Sequence, residues 1–295
     1  MVSPVDLRNY QQDMKTVFRY PGGKSKMAVG IIKNAIRFKP LIFVDGFVGG
    51  GSVSVECLNS MNSKVVMNDL DRYIYSFWNT LCEGKQEKII DIIEKEGMPT
   101  IKKFVELRSK INDTELSEEF LGFLALFFNR TAFSGIFRSG PIGGYDQSGK
   151  YKVSCRYNKS KIIDNIRLMA SALKSKKSEC TNNDFREVIN KFSNNEDAFL
   201  YLDPPYMKQG HQLYSISMEK KDYEDMADLL KNVKCKWIVS HDDYLPFVNL
   251  FKGWSTISNS NRVPYTINSI IGNRKTELLI SNFDFPRKEE HMFDI

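Results

Sequence analysis

Histidine is almost missing from this chain: three residues, His211, His241 and His291, among 295. So few scattered imidazoles argue against a multi-histidine metal site, and no metal is expected. Cysteine is sparse too. The five (Cys57, Cys82, Cys155, Cys180, Cys235) are odd in number and never form a C-x-x-C pair, so they read as reduced thiols of an intracellular protein. No apolar run approaches a membrane span, the longest being Phe120 to Phe128, and the opening MVSPVDLRNYQQDMK lacks the apolar stretch of a signal peptide. No membrane association is expected, and the expected location is the cytoplasm. Internal repeats and low-complexity segments are also absent.

What is present is enough apolar material for a sizeable core. Apolar residues make up 42% and charged residues 26% of the chain. The length suits one large α/β domain with an inserted module, or two domains. A net charge of +6 permits a polyanionic partner without requiring one. Its distribution is more informative: between Lys150 and Lys177 stand nine Lys/Arg against one acid, Asp164. Such a segment suits either a nucleic-acid backbone or an ordinary solvated face.

Short apolar runs rich in β-branched and aromatic residues predict strands at Leu41–Asp45, Lys64–Asn68, Ala198–Leu202, Lys236–Ser240 and Thr276–Ser281. Helix-period stretches lie at Ser52–Leu58, Phe185–Phe192, Lys221–Lys231 and Tyr244–Phe251. Strands alternating with helices imply a mostly parallel sheet covered on both faces. From about Asp71 to Lys177 the alternation stops. Three helical patterns precede the glycine-rich, aromatic and basic stretch TAFSGIFRSGPIGGYDQSGKYKVSCRY, and a further helix follows it. The glycines there predict a hairpin with irregular turns. The whole segment reads as an insertion between early and late strands, and the last dozen residues as a loosely held tail.

Three motifs carry chemistry. In IFVDGFVGGGSV a strand ends in Asp45 and a loop with Phe47, Gly49, Gly50 and Gly51 leads into a helix at Ser52. Ligands of doubly wound sheets bind beyond the carboxyl ends of strands, where glycines let a cofactor approach the backbone. Asp69, ending the next strand, suits ribose hydroxyls. The loop has no Walker lysine. NAD, FAD and S-adenosylmethionine (AdoMet) sites all use this arrangement, and a bare strand-to-helix turn is the plainer alternative. In AFLYLDPPYMKQG a buried strand delivers Asp203-Pro204-Pro205-Tyr206. The prolines fix the backbone and so orient a carboxylate, a carbonyl and an aromatic ring, which is what methylation of an exocyclic amine needs. The lone pair of adenine N6 is delocalised until acceptors hold its two hydrogens. Asp203 and the Pro204 carbonyl are the candidate acceptors, and Tyr206 the candidate stacking ring. Near the N-terminus, Phe18-Arg19-Tyr20-Pro21-Gly22-Gly23-Lys24 suits the carboxylate end of AdoMet or a simple turn before the first helix.

In the order G-G-K, D-x-F-x-G-x-G, D-P-P-Y, these motifs resemble the Dam-type, D12-class adenine-N6 DNA methyltransferases. The similarity covers nearly the whole chain. It includes Asn68-Asp69, Asn129-Arg130, Asp184-Phe185 and the closing Glu277-Leu278-Leu279-Ile280 strand. The resemblance implies a Rossmann-like AdoMet-dependent methyltransferase fold with a mostly parallel seven-stranded sheet. Residues 1–70 and 178–295 would form the catalytic domain, and 71–177 an inserted helical target-recognition domain carrying a β-hairpin. It implies a cofactor site from Tyr20, Gly23, Lys24, Asp45, Phe47, Gly49 and Gly51, with Asp69 on the ribose and Asp184 and Phe185 on the cofactor adenine. Asp203, Pro204, Pro205 and Tyr206 would be the catalytic tetrad.

The same resemblance implies a DNA-reading hairpin over residues 129–152 and contacts from Arg19, Asn129, Ser134, Lys150 and Lys159. There Arg130 would meet phosphate, Phe133 would wedge into the stack beside the flipped base, and Arg138 would read guanine. Duplex DNA is the implied partner of a monomeric enzyme, and a cognate restriction endonuclease is allowed. Arg138-Ser139-Gly140 and Asp146-Gln147-Ser148 depart from the members that methylate GATC, which speaks against that target.

Two other readings fit the same residues: an AdoMet-dependent N-methyltransferase acting on RNA or a protein amide, and a non-catalytic DNA-binding protein on this scaffold. The long basic insertion favours DNA, and the intact Asp69 and Asp203 favour an enzyme. His211 and Gln212 read as a surface loop, Phe120 to Phe128 as helix core, and His241-Asp242-Asp243 as a helix N-cap.

Overall fold

The computed structural model describes residues 14–19, 24–207, 218–242, 244–252, 265–268 and 274–286. Its strands are β1 (Ile42–Asp45), β2 (Lys64–Asn68), β3 (Glu179–Thr181), β4 (Ala198–Leu202), β5 (Lys236–Asp242), β6 (Tyr265–Asn268) and β7 (Arg274–Ser281). They form one sheet in the order β3-β2-β1-β4-β5-β7-β6. The first five are parallel, while β7 runs antiparallel to both β5 and β6. The expected mostly parallel, seven-stranded, Rossmann-like sheet is what the chain builds.

Alternate residues of each strand face opposite layers. Phe43, Val65, Met67, Phe199, Tyr201 and Ile238 enter one core. Val44, Val66, Leu200, Leu202, Trp237 and Val239 enter the other. The second core is closed by α8 (Phe185–Phe192), α9 (Lys220–Leu230) and α10 (Leu245–Leu250). The first is closed by α1 (Ser25–Ile36) and α2 (Ser52–Ser60), and then by the insertion: α3 (Arg72–Cys82), α4 (Gln86–Glu96), α5 (Ile101–Ser109), α6 (Glu118–Thr131) and α7 (Lys159–Ser175).

Local chemistry sets the insertion's boundaries. Asp71, Thr100, Ser117 and Asn158 each cap the helix that follows through a side-chain oxygen. Helices α3 and α6 meet at Gly122, where a Cβ would lie 2.8 Å from the backbone of Phe77. The insertion has no core of its own: Phe77, Trp78, Phe123, Phe127 and Ile166 belong to the same apolar cluster as the sheet residues Phe43 and Phe199. Among the described residues no helix is long and apolar enough to cross a membrane.

One expectation is corrected. Over residues 129–152 there is no β-hairpin ladder. A single antiparallel bridge, Ala132 to Pro141, closes a loop that opens with a 3-10 turn at Phe133–Gly135. Pro141 has no N–H to continue a ladder, and left-handed backbone at Ser134, Gly135, Gly143 and Gly144 turns the chain away from extended geometry.

Candidate active site

The carboxyl ends of β1, β2, β4 and β5 bring the motifs together. Asn68, at the end of β2, ties it to the ends of β1 and β3: its amide donates to the Gly46 and Asn183 carbonyls and accepts from Thr181 and the Asn183 N–H. The glycine loop is held from two sides. Asp69 Oδ2 accepts the Gly49 N–H at 2.8 Å, and Trp78 of α3 donates to the Gly49 carbonyl at 3.0 Å. Gly51 sits at φ 70°, where a Cβ would lie 2.2 Å from the Trp78 ring, so only glycine fits.

A buried acid, Asp45, and a half-buried one, Asp69, lie at this loop. Asp45 accepts the Ser54 hydroxyl on Oδ2 at 2.7 Å, while its Oδ1 is buried with no hydrogen-bond partner. Burial pushes its carboxyl up to about 7, with Asp203 and Asp69 adding to the rise. Burial raises Asp69 to about 7 as well, with Asp71 next in effect. An unpaired buried carboxylate oxygen is costly, and it suits a cationic ligand group. Phe47 and Phe185 stack beside it with centroids 5.9 Å apart, an apolar wall fit for a flat heterocycle. Asp184 caps α8 through the Arg186 N–H and is also ion-paired to the Arg186 guanidinium. These residues fit AdoMet, which carries an ammonium, a sulfonium and an adenine. Tyr20 and Gly23 lie outside the described residues.

The D-P-P-Y loop leaves β4 tied to its surroundings through several of its polar atoms. Asp203 Oδ1 takes the Ser240 hydroxyl at 2.7 Å and the Lys24 ammonium at 2.8 Å. Tyr201, beneath, shares a hydrogen bond with Ser240 at 2.9 Å. Lys24 also donates to the Tyr206 hydroxyl at 2.9 Å. The Pro205 carbonyl accepts the Tyr223 hydroxyl at 2.7 Å. Among the described residues no hydrogen bond reaches Asp203 Oδ2 or the Pro204 carbonyl. Lys24, expected on the cofactor, is thus directed at the D-P-P-Y loop.

The residues expected at DNA divide. Arg138, Lys150 and Arg19 are exposed, and Phe133 is 65% exposed. Asn129 is not at the surface: it accepts the Arg19 N–H and donates to the Arg19 carbonyl, both at 2.7 Å, and donates to the Gly135 carbonyl. It is a staple between the N-terminal segment and the loop. Arg130 is half-buried. Burial, then the neighbouring charges of Arg19 and Arg156, lower it to about 10, and its Nε has no partner.

Lys159 is paired with Glu94 of α4 rather than held free for phosphate. Arg167 likewise pairs with Glu87, and Lys176 donates to the Leu58 and Met61 carbonyls at the end of α2. The basic run is therefore only partly a free surface.

Several contributors carry no sequence motif. Ser54, Trp78, Tyr201, Tyr223 and Ser240 lie inside regular elements, and a polar Ser240 late in the apolar β5 run is their one visible signal. Arg108 of α5 holds the Phe137 and Ser139 carbonyls at 2.5 and 2.8 Å and lies 4.0 Å over the Phe128 ring, bracing the backbone on either side of Arg138. The helix after β5 is not capped by the His241-Asp242-Asp243 cluster. Tyr244 takes the cap position without a side-chain bond, and His241 is buried. His211 and Gln212 lie outside the described residues.

Comparison with known proteins agrees with this geometry. The chain is 22% identical over 280 residues to the Type II methyltransferase M.CviBI of Paramecium bursaria Chlorella virus NC1A, covering 92% of this chain and 100% of that protein. It is 26% identical over 238 residues to the Type II methyltransferase M.MjaIII of Methanocaldococcus jannaschii, covering 72% and 76%. Residues 20–264, which span the glycine loop, the insertion and the D-P-P-Y loop, match the model of one family, and the chain belongs to it: the D12 class N6 adenine-specific DNA methyltransferases.

Proposed function

We propose that this site-specific DNA adenine methyltransferase moves the methyl of AdoMet to N6 of an adenine swung out of duplex DNA, with Asp203 and the Pro204 carbonyl as the acceptors. One observation carries the reading. Lys24 and Ser240 occupy Asp203 Oδ1 and Tyr223 occupies the Pro205 carbonyl, so Oδ2 and the Pro204 carbonyl are the two acceptors left for the two amine hydrogens.

When bound, AdoMet supplies an electrophilic methyl. Asp45 Oδ1 would meet a cationic group of the cofactor, Asp69 its ribose, and the Phe47 and Phe185 wall its adenine, with Gly49 and Gly51 admitting it close to the backbone. Asp203 and Pro204 draw the N6 hydrogens out of the ring plane, which localises the nitrogen lone pair. Catalysis on this reading is positioning and electrostatics, with no covalent enzyme intermediate.

Residues 71–177 act as the target-recognition unit in this reading, with Arg138 at a base edge, Phe133 at the vacated stack, and Arg19, Arg130, Ser134 and Lys150 toward the backbone. The enzyme works as a monomer in the cytoplasm, where its substrate DNA lies. The relatives' names support pairing with a restriction endonuclease of the same site. Radiolabelled methyl transfer to unmethylated plasmid DNA, to RNA and to a glutamine peptide tests the substrate. Label is expected on DNA N6-methyladenine alone and lost in Asp203→Asn; label on RNA or peptide, or full activity of that variant, overturns the reading.

A further inference from the structure

The His241 imidazole takes no part in the chemistry above, yet its contacts converge on the D-P-P-Y loop. It is fully buried at the end of β5 and stacks on Phe247 of α10, with centroids 3.7 Å and planes 5° apart. Tyr206 meets it edge-on at 5.4 Å, and Tyr223 edge-on at 6.1 Å. Its Nε2 lies 3.2 Å from the amide nitrogen of Met207, the residue directly after Tyr206. Its Nδ1 lies 3.0 Å from the Asp242 carbonyl oxygen, with Asp242 Oδ1 2.7 Å away.

These partners fix the protonation state. An amide N–H only donates, so Nε2 presents a lone pair. The Asp242 carbonyl oxygen, which bonds Nδ1, only accepts, so the ring proton is on Nδ1. A neutral, single-tautomer imidazole, held flat by Phe247, therefore offers one acceptor to one backbone N–H.

We propose that His241 is a positioning residue for methyl transfer, whose Nε2 anchors the loop immediately after Tyr206. Tyr223 anchors it immediately before, through the Pro205 carbonyl at 2.7 Å. With both sides of Tyr206 tied to the core, the loop presents the Pro204 carbonyl and Asp203 Oδ2 in one geometry. The inference rests on the reading of Asp203 to Tyr206 as the reacting loop. It goes beyond that reading by naming a residue that touches neither amine nor cofactor.

The test uses full-length His241→Phe, which keeps the stacked ring and removes the acceptor. His241→Gln, whose amide oxygen reaches the Nε2 position, and Asp203→Asn complete the set. Expected for His241→Phe is a kcat on plasmid DNA lowered by roughly 10²-fold, the scale of a small misplacement of reacting groups, with AdoMet Kd and the KM for DNA unchanged. His241→Gln is expected to restore most of the loss. Wild-type kcat in His241→Phe, or a His241→Gln as slow as His241→Phe, overturns the proposal.

If Asp203→Asn retains activity, the reading of the loop fails instead, whatever the histidine variants do. Should His241→Phe not fold, ¹⁵N NMR of the wild-type protein decides, since the chain has only three histidines to assign. A Nδ1–H tautomer with an accepting Nε2 is expected, and a Nε2–H tautomer overturns the anchor.

Discussion

The Lys24 ammonium lies 2.8 Å from Asp203 Oδ1, and the lysine side chain is only 4% exposed. The start of the first described helix is thereby locked to the loop leaving β4. A lysine this enclosed needs a carboxylate beside it, because an unpaired buried charge is strongly unfavourable. The same pair directs Asp203, since an oxygen engaged by an ammonium and a hydroxyl is not available to substrate.

Lys24→Met is therefore expected to lower stability by roughly 1.5 to 3 kcal/mol, the range for a hydrogen bond to a charged group, and to lower kcat more than it weakens AdoMet binding. Urea unfolding, calorimetric AdoMet titration and single-turnover methylation check this. A change confined to AdoMet affinity would return the lysine to the cofactor, where its motif alone would put it.

Asp45 gives a pH signature. Its folded-state carboxyl is raised to about 7 from 3.8, so the protonated form is favoured by folding. The stability this group contributes is complete below 3.8 and is lost as pH rises through about 7. Asp45→Asn is expected to flatten that decline and to be the more stable protein above neutrality, by up to roughly 4 kcal/mol at the conversion of 1.36 kcal/mol per tenfold. Thermal unfolding between mildly acidic and mildly alkaline buffers reads it. In the wild type, a cationic ligand at Oδ1 favours the carboxylate, so AdoMet affinity is expected to rise with pH through the same region and binding to release protons. Calorimetry in buffers of different ionisation enthalpy measures that release.

For Asp69, two roles predict two losses from one substitution. Asp69→Ala is expected to weaken AdoMet by about 1.5 to 3 kcal/mol through the ribose. It also loosens the glycine loop, because the Gly49 N–H loses its acceptor. Equilibrium dialysis and a melting curve separate the two effects. An unchanged AdoMet Kd with a lowered melting temperature would leave only the structural role.

Asn129 is buried and Arg138 exposed, though the two are close in sequence. Asn129→Ala removes a side chain with three backbone partners and is expected to destabilise by about 1–3 kcal/mol, with the salt dependence of DNA affinity unchanged. Arg138→Ala is expected to leave stability alone and to cost about 1–3 kcal/mol of discrimination at one base pair. Methylation rates on a panel of single-substituted duplexes distinguish them. If Arg138→Ala slows every duplex equally, it contacts phosphate and the base reader lies elsewhere on the loop.

The parts of this molecule written in consecutive residues were legible in advance. The runs at β1, β2, β4 and β5 are apolar and β-branched, and a parallel strand buried on both faces must look that way. Asp45, Asp69 and Asp203 were legible because each closes such a run. What stayed hidden depends on partners far along the chain. Nothing in K-S-K-I-I-D-N-I-R announces that Lys159 and Arg167 face Glu94 and Glu87 of another helix. Asn129 stands next to an arginine in a basic region, and only the fold reveals that its amide pairs with the Arg19 backbone. Strand β6 is four residues long and carries no pattern of its own. His241 looked like a cap because it ends a strand, whereas burial against Phe247 decided its surroundings.

The continuity of the apolar interior from the sheet into α3 to α7 limits how such an enzyme can acquire a new target. Exchanging residues 71–177 as a cassette would tear out Phe77 and Trp78, the rings packed on Phe18, and with them the Trp78 hydrogen bond that holds the glycine loop. The bridge between Ala132 and Pro141 marks a different seam, since the loop it closes carries Phe133 and Arg138 on an already finished frame. If Arg138 and Phe133 meet DNA as proposed, exchange within that loop would change the target and leave the frame as it is, so recognition could diverge quickly while the chemistry stays fixed.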